Sequence, residues 1–279
     1  MEDLKDFFSQ ISWSEEAKLI VWDVGHGNWN EVRVGNNRIF FDIGADKYYR
    51  LSDKQNLIEK IAIKEDDVIF IIISHWDVDH YQSLLFFQNE TCQKIAGIIA
   101  PEFIPHTNTA RMVVNYIEQH HIKFFRISGF HKSSKEVELN CIYDSQYLKL
   151  YRSRSKKISS RNLDSIVLFV KGNNVDILFT GDQQYHKLYQ YILSTNVHDK
   201  ENKKLILIVP HHGGNSGKLK PDDWEKFNYE KIILSYSDRN HYCHPKSAVM
   251  DNLKQIDKQN GENICETNGK NICENLKIF

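Results

Sequence analysis

With 279 residues, 41% of them hydrophobic and 26% charged, the chain has the length of one large domain or two small ones and the composition of an ordinary soluble globular protein. No run approaches 18 apolar residues, which excludes a membrane-spanning helix. A formal net charge of −1 excludes a whole-protein attraction for anions, so any nucleic-acid surface has to be local.

A short helix is expected over the first ten residues. The acidic start, Met1 to Lys18, has no basic segment followed by an apolar one and is not expected to be a secretory signal. Strands follow at 18–24, 31–34 and 38–44, with the "GNN" of 35–37 as a hairpin turn. The run "VIFIIIS" (68–74) reads as a strand covered on both faces, and a helix begins near Asp79. Strands at 97–100 and 123–127 flank a helix around 108–121.

The second half repeats this order: strand 165–171, a "GNN" turn, strand 175–181, a helix from about 184, strands 205–210 and 231–236, and a helix from about 246. Asn268-Gly269 predicts a C-terminal β-hairpin over about 261–279. No Pro/Gly/Ser linker divides the chain. The expectation is a single α/β domain, residues 1–279, with two mixed β-sheets face to face and helices outside. One segment breaks the pattern. "YRSRSKKISSR" (151–161) carries Arg152, Arg154, Lys156, Lys157 and Arg161 with neither helix nor strand period, and reads as a mobile basic loop. The five cysteines are odd in number and contain no close zinc-type pair, which fits free thiols in a reducing cytoplasm.

The chemistry concentrates in "SHWDVDH" (74–80). In an extended stretch residues i and i+2 point the same way, so His75 and Asp77 can grip one ion. Asp79 and His80, at the turn into the helix, point elsewhere and can grip a second. A helix-capping Asp explains one of these four residues and leaves three unexplained. Other strand ends are interrupted in the same manner: Asp182 after "ILFT", His211 and His212 after "ILIVP", His241 and His244 after "IILSY". One His after a strand is ordinary, but recurrence points to a shared site at one edge of the sandwich. Asp182 is the natural bridging carboxylate, able to hold two divalent ions about 3.5–4 Å apart so that water is activated and an anionic leaving group is neutralised.

Taken together these motifs resemble the metallo-β-lactamase-fold hydrolases. Most of those read His-x-His-x-Asp-His; here Asp77 replaces the second His. With "TGD", "HHG" and "HP", the variant resembles the C-terminal hydrolase domain of the ComEC/Rec2 competence proteins, and the likeness runs nearly end to end. "DVGHGN" (23–28), "FFDIG" (40–44), "NLDSIVL" (162–168) and "NICETNGKNI" (263–272) resemble further family motifs in the same order.

The resemblance implies an αββα fold and a hydrolase with two divalent metal ions, its ligands His75, Asp77, Asp79, His80, Asp182 and His244. It also implies a bridging hydroxide that Asp79 orients, with His211 or His212 assisting the leaving group. Those two histidines stay open between ligand, proton donor and phosphate contact. Asn215, Ser216, Arg154, Lys156 and Lys157 are candidate substrate contacts. Asp23, His26, Asp42 and Asn162 are candidate supporting residues, with His26 standing where the family has Gln and Asn28 where it has Asp. The competence proteins' membrane channel has no counterpart in this chain, so only the hydrolase module is implied.

Carboxylate-rich sites accept Mn²⁺ more readily than imidazole-rich ones, so Asp77 ranks Mn²⁺ level with Zn²⁺. The expected activity is that of a cytoplasmic phosphodiesterase or nuclease acting on DNA or RNA, the basic loop tracking phosphates. Two alternatives stay open. One is a metal-binding regulatory or effector component that works through a protein partner in a defence or toxin system. The other is a hydrolase of small esters or amides.

Overall fold

The computed structural model describes residues 2–13, 16–131, 136–155, 160–196, 203–238, 240–257 and 261–277. Its strands in the first half of the chain are β1 (Glu16–Val21), β2 (Trp29–Val34), β3 (Asn37–Ile43), β4 (Val68–Ile72), β5 (Ile95–Pro101) and β6 (Phe124–Ile127). The second half contributes β7 (Glu138–Asp144), β8 (Leu148–Arg154), β9 (Ile166–Val170), β10 (Val175–Phe179), β11 (Lys204–Ile208), β12 (Asn228–Leu234) and β13 (Ile264–Glu266), and β14 (Ile272–Lys277) is the last described strand.

The strands form two seven-stranded sheets, ordered β14-β1-β2-β3-β4-β5-β6 and β7-β8-β9-β10-β11-β12-β13. The first sheet is antiparallel from β14 to β3 and parallel from β3 to β6. The second is antiparallel from β7 to β10 and parallel from β10 to β13. The two halves therefore repeat one topology. β14 takes in the first sheet the place that β7 takes in the second.

Alternation decides which layer each apolar residue serves, even where the run is continuous. Phe70 and Ile72 of β4 point into the core between the sheets, where Phe41 stacks on Phe179 of the opposite sheet with ring centroids 5.5 Å apart. Ile69, Ile71 and Ile73 point the other way, into a layer closed by the helices Leu51–Ile61 and Asn108–Gln119. On the far face of the second sheet a third cluster packs under the helix Ser247–Ile256. Each such fully buried Ile or Phe contributes about 1.5–3 kcal/mol. Among the described residues no helix is long and apolar enough to cross a membrane.

Three expectations from the sequence are corrected. The segment 151–161 is not a free basic loop throughout, because Tyr151–Arg154 completes β8. Arg152 is buried there, with its guanidinium on Asp164 and on the carbonyls of Ile127 and Ser165. A long charged side chain that is satisfied internally hides a strand from a hydrophobicity pattern. Lys156 and Lys157 lie outside the described residues. The expected C-terminal hairpin is not formed, since β13 runs parallel to β12 in one sheet and β14 antiparallel to β1 in the other. Asn268-Gly269 lies in the crossover between the sheets. Finally, β7 and the helix Leu51–Ile61 occur where the sequence predicts no element. Edge strand β7 buries only Leu139 completely, which leaves too faint an alternation to read.

The ends of the strands are locked together at one place. A Cβ on Gly44, just after β3, would stand 1.6 Å from the carbonyl oxygen of Asp79 and 2.2 Å from its carbon. Only glycine lets these backbones touch. Gly44→Ala is expected to cost about 2 kcal/mol or more and to lower Tm by roughly 4–8 °C. A thermal melt unchanged within 1 °C (about a quarter of the smallest expected shift) would contradict this packing.

Candidate metal centre

Parallel strands end on the same edge of each sheet, and the loops after them carry the polar residues. Asp42 comes from the end of β3, Ser74 to His80 from beyond β4, and Asp182 from beyond β10. His211 and His212 follow β11 and His244 follows β12, while the β1–β2 loop adds His26 and the β8–β9 connection adds Arg161 and Asn162.

The first group of side chains surrounds Asp182, which is 3% exposed. His80 Nε2 is 3.2 Å from Asp182 Oδ1, and His75 Nε2 is 3.6 Å from Asp182 Oδ2 and 3.5 Å from Asp77 Oδ2. Both rings are held from behind. His80 Nδ1 faces Asp42 Oδ2 at 2.7 Å and His75 Nδ1 faces Ser74 Oγ at 3.0 Å. Asp42 in turn accepts hydrogen bonds from the Ser74 amide and hydroxyl at 2.7 and 2.9 Å. This fixes each ring with Nε2 forward, the arrangement that outer partners impose on metal-binding histidines.

The second group is His26, Asp79 and His212, whose donor atoms lie within 4.8 Å of one another. His212 Nδ1 donates to the Ser235 carbonyl at 2.7 Å, which turns Nε2 to within 3.5 Å of Asp79 Oδ2. The expected pairing of Asp79 with His80 is thus redistributed: His80 faces Asp182 and Asp79 faces His212. Both residues sit on the short helix Val78–Tyr81, where consecutive side chains diverge by about 100°.

The remaining candidates fall into three sets. Asn162 Nδ2 reaches Asp182 Oδ2 at 3.3 Å and His211 Nδ1 at 3.1 Å, and His211 also hydrogen-bonds Asp182. His244 lines the same cavity, its ring 5.0 Å from that of His211, but belongs to neither group. The others are braces or stand apart. Asp23 Oδ1 accepts from the Gly25 amide at 3.3 Å and shapes the loop that carries His26. Ser216 is buried and donates to the carbonyls of Asp182 and Gln183 at 2.8 and 3.0 Å, so it braces the loop instead of facing a ligand. Asn215 is exposed, and neither it nor Arg154 lines the cavity at the centre. Among the described cations of 151–161, Arg161 reaches the site: its Nε is 2.9 Å from Asp77 Oδ1 and it lines the cavity.

Sequence reasoning missed His26 as a member of a donor group. Its only local signal is a His between two glycines, and its partners lie more than 50 positions away.

The electrostatics match the grouping. Burial opposes ionisation of Asp182, but the imidazoles of His80, His75 and His211 outweigh it and hold the carboxyl well below the usual range. Asp79 is depressed in the same way against burial, by the neighbouring imidazoles of His212 and His80. Burial also disfavours a charged His80, yet the carboxylates of Asp182 and Asp42 raise its pKa well above normal. His26 is pushed down to about 3 by burial and by His212, and His244 to about 4 by burial and by His211.

Several buried donor atoms nevertheless have no hydrogen-bond partner: Nε2 of His75, His80 and His212, and Oδ1 of Asp182. Unpaired buried polar atoms are costly, and here they converge. Donors around one divalent ion at roughly 2.1 Å lie about 3.0–4.2 Å apart, and the separations of 3.2–3.6 Å fall inside that range. The residues therefore fit divalent ions. Asp42, His211 and His212 hold their backbones at φ of 62°, 54° and 54°, a left-handed region that is strained for side-chain-bearing residues and that clusters at functional sites.

No protein-family model and no curated protein sequence matches the chain. Solved structures do. The metallo-β-lactamase-fold protein YhfI from Bacillus subtilis is similar over 93% of this chain and 99% of its own, with 9% identity and a TM-score of 0.53. Tm1679, a metal-dependent hydrolase of the β-lactamase superfamily, is similar over 92% of this chain and 98% of its own, with 12% identity and a TM-score of 0.51. At these identities the likeness establishes the fold: two mixed seven-stranded sheets with helices outside, in the metallo-β-lactamase arrangement.

Asp42 belongs to neither donor group and acts through His80. Asp42→Asn keeps its shape and tolerates the positive φ but loses the charge behind Nδ1. Ion affinity is expected to fall about 10–100-fold with the fold intact, measured by competition with a chromophoric chelator. Unchanged affinity would remove Asp42 from the support of the site.

Proposed function

We propose that this chain is a hydrolase of phosphodiesters that works with two divalent ions, Zn²⁺ or Mn²⁺. The observation that carries the reading is the set of unpartnered donor atoms around Asp182 and Asp79, opening into a cavity of about 500 Å³ with Arg161 and His211 on its lining. His75, Asp77, His80 and Asp182 would hold one ion, with Asp79 and His212 as ligands of the other. When bound, the ions supply an ionised water at neutral pH and neutralise charge on the reacting phosphate and its leaving oxygen.

The chain's own residues supply the rest. Arg161 is a permanent cation, its side chain 48% exposed, where an anionic diester enters. Its guanidinium shares Asp77 with the centre, so the substrate's charge is held next to the ions. His211 is pinned through Nδ1 to Asp182 and is partly exposed, which leaves its other ring nitrogen available to hand a proton to the leaving oxygen. Asn162 holds that ring in register.

The substrate side favours a diester with a planar group. Arg161 also lines a neighbouring cavity of about 650 Å³ that contains Arg126 and the exposed rings of Phe103 and Phe130. Exposed aromatics beside cations suit stacked bases, which supports a nucleotide or single-stranded polynucleotide over a small amide. The likeness to competence-type hydrolases in "DVGHGN", "TGD" and "HHG" points the same way. Within the basic segment Arg152 is committed internally, and among its described cations Arg161 brings charge to the cavity.

Protein loaded with Zn²⁺ or Mn²⁺ is expected to hydrolyse bis(p-nitrophenyl) phosphate and DNA or RNA oligonucleotides. Asp182→Ala and Asp79→Ala should each lower turnover by about 10³-fold or more. Arg161→Ala should raise KM for the diester by about tenfold with a smaller change in kcat, the signature of a lost ground-state contact. Fully loaded protein that turns over no diester in such a panel would leave the binding or effector reading in its place.

A further inference from the structure

The β1–β2 loop carries a buried imidazole whose polar atoms are not satisfied by the fold. His26 is 6% exposed, its Nδ1 is buried without a hydrogen-bond partner, and its Nε2 is 3.9 Å from Asp79 Oδ2, too far for a hydrogen bond. Building on the two-ion reading above, we propose that His26 is a protein ligand of the second ion, beside Asp79 and His212, and that His244 is not.

The separations fit one ion. His26 Nε2 and His212 Nε2 lie 3.9 and 3.5 Å from the same oxygen, Asp79 Oδ2, and the two imidazole rings are 4.5 Å apart. Donors around a tetrahedral ion at roughly 2.1 Å are about 3.4 Å apart, so drawing the His26 ring in by about half an ångström closes the group. His244 is placed differently. Its ring is 5.7 Å from that of His26 and 5.0 Å from that of His211, and it is not in the group whose donor atoms all lie within 4.8 Å of one another.

The loop is built to hold this position. The Asn28 amide donates to the Asp79 carbonyl at 2.9 Å, and the His26 amide faces Asp46 Oδ2 at 3.3 Å. A Cβ on Gly27 would meet the same Asp79 carbonyl at 3.0 Å, which brings the loop backbone against the helix that bears Asp79. Ser235 joins the third ligand to the unit. Its hydroxyl donates to the Gly27 carbonyl at 2.8 Å, while its own carbonyl orients His212. On the outer side the ring of Tyr242 stacks on His26 at 5.0 Å, and Lys47 Nζ holds the Tyr242 hydroxyl at 3.0 Å.

The assignment changes the metal chemistry. Asp77 makes the group around Asp182 richer in carboxylate, whereas His26 gives the second group two imidazoles and one carboxylate. Imidazole suits Zn²⁺ and carboxylate suits Mn²⁺ or Mg²⁺. The two halves of the centre therefore differ, and the His26 half takes the zinc-class ion.

Equilibrium dialysis against Zn²⁺ followed by elemental analysis tests this on the full chain. Wild type should take two equivalents. His26→Gln, which keeps a polar side chain of similar reach, should keep the first and bind the second about tenfold more weakly or worse, the bound being that seen for loss of an outer-shell partner. His244→Ala should keep both. Two equivalents in wild type and two of unchanged affinity in His26→Gln overturn the assignment while leaving the two-ion reading intact. Fewer than two in wild type overturn the two-ion reading and the assignment with it. Long-range ¹⁵N–¹H spectra of zinc-loaded wild type give an answer free of substitutions. His26 Nε2 should show a metal-bound shift, and a shift unaltered by zinc would overturn the proposal even if His26→Gln failed to fold.

Discussion

The structure depends on a buried carboxylate. Asp182 is cut off from water, and imidazoles from both halves of the chain close around it: His75 and His80 from beyond β4, His211 from beyond β11. A charge so placed is tolerated only when it is paired. The pairing is possible because the chain repeats one topology and places the ends of its parallel strands on one edge. The residue that joins the halves electrostatically also belongs to the first donor group, with His75 and His80.

Around that centre the packing works to limit freedom. Asp42, Ser74 and Ser235 each take one ring nitrogen of a histidine out of play and so aim the other. Gly27 and Gly44 let three stretches of backbone meet at the Asp79 carbonyl, which carries the position of that helix across to the β1–β2 loop. The left-handed backbones at Asp42, His211 and His212 are strain the surrounding hydrogen bonds can hold. These features describe a site rigid before anything binds, with Arg161 and Tyr242 as the more exposed elements at its mouth.

Much of this was legible in the sequence because the signals are local. The apolar runs of β3, β4, β10 and β11 and the polar residues that end them stand side by side in the chain, and the repeated order of strands announced two similar halves. What escaped depends on distance in sequence. Arg152 reads as a surface cation until Asp164 and two carbonyls are brought to it. Asn268-Gly269 reads as a hairpin turn until its flanking strands are seen to join different sheets. His26 reads as a loop residue until folding sets it against Asp79. Adjacency likewise paired Asp79 with His80, where the helix turns the two side chains apart.

The most direct test of the central claim is anomalous diffraction from crystals of the zinc-loaded protein at the zinc edge. The account predicts two peaks per chain, one in contact with His75, His80 and Asp182 and one with Asp79 and His212. A single peak, or strong peaks away from Asp182 and Asp79, would contradict it.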